Sequence, residues 1–166
     1  MSQVLIILGS SSDLTITEKG LGVLKKFCQP FSLRIASAHR SPDHVHAIVK
    51  NFEKEGGQIV ICVAGKSAHL AGVVASMTTK PVLAVPVFSQ ATAGFDALLS
   101  MSQMPAGIPV ATMGFGDAGF TNACLTALQI LALNKKDLST KLDHYRKEQA
   151  EKVMKDDESH SIIWQP

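Results

Sequence analysis

The sequence predicts an α/β domain built on a parallel sheet with helices on both faces. Three observations carry this. Short β-rich apolar runs alternate with helical stretches along the chain. The runs "VLIIL" (4–8) and "QIVICV" (58–63) are continuous rather than alternating, as in strands buried on both sides. The unusual glycine, hydroxyl and basic residues follow directly on the first three runs, at the strand ends where such folds place their ligands.

The elements follow in order. Val4–Leu8 is the first strand, stopped by Gly9. Leu14–Cys28 reads as a helix with Asp13 as N-cap, weakened by Gly20 and Gly22. Phe31–Ala36 is the second strand. Ser41–Gly56 is the clearest helix: Ser41 suits the N-cap, Pro42 the first helical position, and Val45, Ile48, Val49 and Phe52 keep helical spacing. Gln58–Val63 is the third strand, and a small-residue helix runs from Leu70 to about Met77. Val82–Val85 is the fourth strand, with Pro86 just beyond its end, where the missing N–H is tolerated. A short helix over Gly94–Met101 precedes a fifth strand near Val110–Met113.

Ala118–Leu133 is a nearly all-apolar helix, expected to be buried and covered by a partner subunit. A polar helix from about Asp137 to Lys155 carries one apolar stripe at Leu138, Leu142 and Tyr145. The reading is one catalytic domain over residues 1–155 and a C-terminal tail, 156–166, poorly ordered or swapped onto a neighbour.

Composition excludes several classes. Hydrophobic residues make up 46% of 166, which suits a globular chain with a proper core. A net charge of +2, scattered along the sequence, does not suit nucleic-acid binding. Cys28, Cys62 and Cys124 stand far apart in apolar contexts, which favours buried free thiols over a metal site or disulfides. The N-terminus lacks the pattern of a signal peptide and no apolar run approaches the ~20 residues of a membrane span. A cytoplasmic protein is expected.

Three loops carry candidate chemistry. "GSSSD" (9–13) offers hydroxyls and backbone N–H groups at a helix start, where phosphate binds, and Asp13 can accept from ribose hydroxyls. The same pattern equally serves an ordinary N-cap turn. In "SAHR" (37–40), Arg40 can fork onto phosphate oxygens and His39 can exchange protons near neutral pH, or simply satisfy a backbone carbonyl. "AGKSAHLAG" (64–72) brings Gly65, Lys66 and His69, with a solvent-facing lysine and a packing histidine as the plain alternatives. His44, His46, His144 and His160 read as surface residues, and no cluster suggests a metal.

The segments "GSSSD", "SAHRSPD", "AHLAG", "PVLAVPV", "DALLSMSQMPAGIPVAT" and "TNACLTALQILAL" resemble, in order and spacing, the class I N5-carboxyaminoimidazole ribonucleotide mutases, over roughly residues 3–150. The resemblance implies a three-layer α/β/α sandwich of flavodoxin-like or Rossmann-like type, a homo-octamer and no cofactor. It implies transfer of a carboxyl group from the exocyclic nitrogen to ring C4 of a ribonucleotide in purine biosynthesis. On this pattern His39 is catalytic. Phosphate and ribose contacts fall on Ser10, Ser12, Asp13 and Arg40, and further substrate contacts on Ser37, Ala38, Gly65, Lys66, Ser67, Ala68, His69 and Leu70.

Gly65-Lys66-Ser67-Ala68 departs from the family's usual glycine-glycine-alanine-alanine, and Ala71 replaces its proline. A basic residue followed by serine resembles the sister class, the aminoimidazole ribonucleotide carboxylases, which use free carbon dioxide. Arg40 and His69 match the mutases. The carboxylase is the alternative; a flavin- or nucleotide-binding module is disfavoured by a single Trp and a single Tyr. A structural assembly subunit is the other non-enzymatic reading, motivated by the apolar helix at Ala118–Leu133.

Overall fold

The computed structural model describes residues 2–165. In chain order the elements are strand β1 (Val4–Leu8), a 3-10 turn (Ser11–Ile16), helix α1 (Glu18–Lys26), β2 (Phe31–Ile35), α2 (Pro42–Lys54), β3 (Ile59–Gly65), α3 (Leu70–Ala75), β4 (Val82–Val87), α4 (Phe95–Ser102), β5 (Ala111–Thr112), α5 (Gly116–Ala132) and α6 (Lys136–His160). The five strands form one parallel sheet in the order β2-β1-β3-β4-β5. This is a flavodoxin-like α/β fold.

Every residue of β1, and β3 from Ile59 to Ala64, is buried, which explains why these runs show no polar alternation. Successive side chains point to opposite faces. Leu5, Ile7, Val60, Cys62, Val82 and Ala84 join one cluster with Val45, Ile48, Val49 and Phe52 of α2, Leu70 and Val74 of α3, and Ala97 and Met101 of α4. Val4, Ile6, Leu8, Ile61 and Val63 face the other way and are equally buried. Each such aliphatic side chain contributes ~1.5–3 kcal/mol on leaving water. Helices α1 and α5 meet where Gly20 lies against Phe120 and Cys124.

The chain forms two compact units, dividing between Leu128 and Gln129. In the first, α5 buries Phe120, Ala123, Cys124, Ala127 and Leu128, while Leu125 is half-buried and Asn122 exposed. The second holds the end of α5 and the long α6, in which Leu138 is buried and Leu142 and Tyr145 are half-buried, as the stripe predicts.

Several local expectations need correction. Asp13 is not the N-cap of a single helix. Ser10 caps a 3-10 turn, Asp13 closes its capping box, and α1 starts only at Glu18. Strand β4 runs on to Val87, so Pro86 lies inside it, opposite Ala64. This is tolerated because β5 pairs only with Leu83 and Ala84, leaving that flank of β4 without a strand partner at Pro86. The last helix does not stop near Lys155 but continues to His160. Cys62 and Cys124 are buried, with thiols pushed up by desolvation, Cys124 to about 12. Cys28 instead is exposed, at φ 52° just past α1.

The two glycines of α1 have opposite roles. A methyl group at Gly20 would overlap the ring of fully buried Phe120, whereas one at Gly22 would meet nothing. Gly22→Ala should therefore raise stability by ~0.5–1 kcal/mol through helix propensity. Gly20→Ala should lower it, because overpacking of ~1–3 kcal/mol outweighs the same gain. Urea unfolding of both variants checks this, and equal shifts would contradict the packing account.

Candidate active site

In the order β2-β1-β3-β4-β5 the chain leaves β1 to one side for β2 and to the other for β3. Loops therefore diverge at the carboxyl ends of β1 and β3 and open a crevice there. A cleft of about 700 Å³ occupies this place. It is lined by the loops after β1, β2 and β3 and by Val87, Phe88 and Ser89 at the end of β4.

The first loop is held by its own polar groups. The Gly9 N–H donates to the Val63 carbonyl at 2.9 Å, continuing the β1–β3 pairing one residue further. The Ser10 side chain accepts from the Ser12 N–H at 3.3 Å, and the Ser12 hydroxyl donates to Ser10 Oγ at 2.9 Å. Asp13 accepts from the Ser10 N–H at 3.0 Å. Asp13 is only 7% exposed. Burial raises its carboxyl above the ordinary aspartate value, and the hydrogen bonds from the Ser10 backbone and Ser12 hydroxyl offset part of that.

The second loop turns tightly between β2 and α2. The Ser41 hydroxyl accepts from the Ser37 N–H at 3.1 Å and donates to the Ser37 carbonyl at 3.2 Å. The Ser37 hydroxyl accepts from the Arg40 N–H at 3.2 Å. These bonds fix the turn that presents His39 and Arg40, both exposed. The Arg40 guanidinium reaches Ser37 Oγ and, through Nη2, the Gly9 carbonyl, each at 3.5 Å. Among the described residues it makes no ion pair. The residue lines the cleft.

The third loop joins β3 to α3. His39 Nε2 and His69 Nδ1 lie 2.9 Å apart, with the rings edge to face at a centroid distance of 5.0 Å. One nitrogen must carry the hydrogen and the other a lone pair, so the tautomer of one ring sets that of the other. The bond leaves Nδ1 of His39 and Nε2 of His69 for other partners. Lys66 adopts φ 57°, the left-handed region, and its side chain is exposed on the cleft. Gly65 packs so closely on Val87 that a Cβ there would come within 3.2 Å of the valine side chain.

Of the residues expected at the site, the cleft collects Ser10, Ser12, Asp13, Ser37, Ala38, His39, Arg40, Gly65, Lys66, Ser67, His69 and Leu70. Ala68 does not line it: its methyl group is buried in the core with α2 and α3, so only its neighbours face out. Sequence reasoning missed Val87, Phe88 and Ser89. It had ended the fourth strand at Val85, though the rule that placed the first three loops applies equally to "VFS" after Pro86. His44, His46, His144 and His160 are exposed, as expected. Among the described residues no group of three or more His, Cys, Asp or Glu is placed to hold a metal ion, and no helix is long and apolar enough to cross a membrane.

An imidazole pair beside a guanidinium, at the switch point of a parallel sheet, makes this cleft the candidate active site of an α/β enzyme. The chain belongs to the AIR carboxylase family, whose model matches residues 3–152. It is 52% identical over 155 residues to the N5-carboxyaminoimidazole ribonucleotide mutase of Methanocaldococcus jannaschii, covering 93% of this chain and 95% of that one. It is 41% identical over 153 residues to the protein of the same name in Escherichia coli, covering 92% and 90%. The crystal structure of Treponema denticola PurE superposes with a TM-score of 0.86 at 32% identity, covering 96% of this chain and 98% of that one.

The Asp13 shift has a sign that can be measured. Because the folded state holds the Asp13 proton to higher pH than the unfolded chain does, its contribution to stability is fully present below the ordinary aspartate value, about 3.9, and is lost as pH rises through the folded value. Asp13→Asn removes this dependence. Glu53, Asp96 and Asp117 are shifted downward and contribute in the opposite sense, but equally in both proteins. The stability of Asp13→Asn relative to the parent should therefore rise with pH from about 4 and then level off. Urea midpoints across that range check it, and parallel pH profiles would contradict it.

Proposed function

We propose that this chain is an N5-carboxyaminoimidazole ribonucleotide mutase of purine biosynthesis, isomerising its substrate to 4-carboxyaminoimidazole ribonucleotide. The observation that carries the reading is the His39–His69 pair beside the Arg40 guanidinium, in a chain 52% identical to a relative of that name.

The chemistry needs few parts. Breaking the nitrogen–carboxyl bond releases carbon dioxide and leaves an electron pair on the exocyclic nitrogen, which takes a proton. Ring carbon C4 then attacks the carbon dioxide, and the hydrogen on C4 must leave as a proton to restore the aromatic ring. One imidazole can give the first proton and accept the second, ending in its starting state. His39 is that imidazole, and His69 fixes its tautomer through the 2.9 Å bond. Arg40, with the Ser10 and Ser12 loop, holds the phosphate, and Asp13 takes the ribose. Anchoring the phosphate places the ring against His39. Small residues at Gly9, Ala38, Ala64 and Gly65 let the ring and the freed carbon dioxide lie close to the backbone.

Lys66-Ser67 is the feature that favours the second reading, a carboxylase acting on aminoimidazole ribonucleotide and free carbon dioxide. Purified carbamate substrate separates the two: rapid conversion, insensitive to added bicarbonate, is expected. Saturation of the other reaction at low carbon dioxide, with the carbamate ignored, would establish the carboxylase instead. In the same assay His39→Asn should stay folded and bind ligand while turnover falls by ~10²–10⁴. Near-native turnover would remove His39 from the mechanism.

The chain acts in the cytoplasm as a homo-oligomer, an octamer as the family resemblance implies. Support comes from large apolar side chains left open: Phe88 60%, Phe95 62% and Leu99 52% exposed. Phe95 and Leu99 lie one turn apart on α4. Such residues gather where another subunit covers them. Sedimentation should show a particle well above 17.7 kDa, and a stable monomer would refute the assembly.

A further inference from the structure

Lys66 is the one charged group of the cleft that the reaction outlined above leaves without a task. It sits at the carboxyl end of β3 in a left-handed conformation, φ 57°. A side chain in this region costs roughly 1–2 kcal/mol, whereas glycine takes it freely. Nothing in the packing calls for a long side chain here, because Lys66 is exposed. Among the described residues its ammonium makes no ion pair. It does act on Asp96 in the first turn of α4, where it adds to the stronger effect of the Thr92 hydroxyl in holding that carboxyl below its ordinary value. Its loop, between β3 and α3, lines the cleft.

Arg40 follows β2, and its Nη2 approaches the Gly9 carbonyl at the end of β1. In the order β2-β1-β3-β4, two strand spacings separate the loops that carry the two cations, or about 10 Å. The His39–His69 bond bridges the same two loops, across the end of β1. The loops after β2 and β3 thus each bring a cation to the cleft, and the imidazole pair joins the same two loops. That arrangement fits a ligand with an anion at each end: a phosphate at Arg40 and, about a nucleotide's length away, a second anion.

We propose that Lys66 receives the carboxylate of the carboxylated ribonucleotide, so that it sets the preference for carboxylated over carboxyl-free ligand. The assignment rests on the mutase reading and adds to it the residue that recognises the group being moved.

The test is calorimetric titration of the folded protein with two probes, 4-carboxyaminoimidazole ribonucleotide and aminoimidazole ribonucleotide, at one ionic strength. Lys66→Met keeps the length and removes the charge. It should weaken binding of the carboxylated probe about tenfold or more, the usual effect of losing a charge-assisted contact, and leave the other within about twofold. Lys66→Arg should preserve the preference. An equal loss for both probes, or no loss for either, would overturn the assignment while leaving the mutase reading intact. If the parent protein bound neither probe and did not convert the carbamate, the mutase reading would fall, and the role of Lys66 with it.

Discussion

The pairing of β1 with β2 on one side and β3 on the other is the constraint on which the rest depends. Because all three strands run the same way, their carboxyl ends lie along one edge. Residues far apart in sequence then meet without any loop having to be long. The hydrogen bond between His39 and His69, thirty residues apart, needs only that β2 and β3 flank the same strand. The burial that drives this pairing lies in β1 and β3, which expose almost nothing. The site itself therefore need not stabilise the fold and can keep its polar groups open to a ligand.

The loops divide the work between rigid and free groups. Ser37 and Ser41 satisfy each other and the backbone, as do Ser10, Ser12 and Asp13. What they leave without an ion-pair partner among the described residues is a guanidinium and an ammonium, and two imidazole nitrogens stay outside the His39–His69 bond. The turns that present the charges are fixed by their own hydrogen bonds, which is the preorganisation an anionic ligand would meet. Its cost is a buried carboxylate at Asp13, tolerated because a backbone N–H and a hydroxyl point at it.

Much of this was legible in the sequence where one local effect dominates. Pro42 after Ser41 marked the start of α2, and apolar runs without alternation marked the buried strands. The co-location of three loops followed from strand–helix order alone. Other features depend on contacts that no local pattern carries. Whether residues after Ser10 form a 3-10 turn or an α-helix depends on Asp13 closing back onto the Ser10 backbone. Pro86 reads as a strand end, yet β4 continues because its other flank has no partner at that height. Ala68 belongs to a site motif but faces the core, and Cys28 lies in an apolar context but ends a helix in the open. In each case tertiary geometry, not residue type, decides which way a side chain turns.

The short fifth strand bears on a matter apart from catalysis. A sheet edge offers a row of unpaired backbone groups that another chain can extend. Here one edge ends in Ala111–Thr112, two residues long, too brief to guide a stranger into register. The opposite edge, β2, carries Ser32 and an exposed Arg34 among its five residues. A charge placed along an edge makes adding an apolar strand there unfavourable. Both borders of a sheet whose interior strands are almost wholly aliphatic are thus poor templates for fibre growth. A chain carrying such sticky strands can then stay dispersed while it is being made.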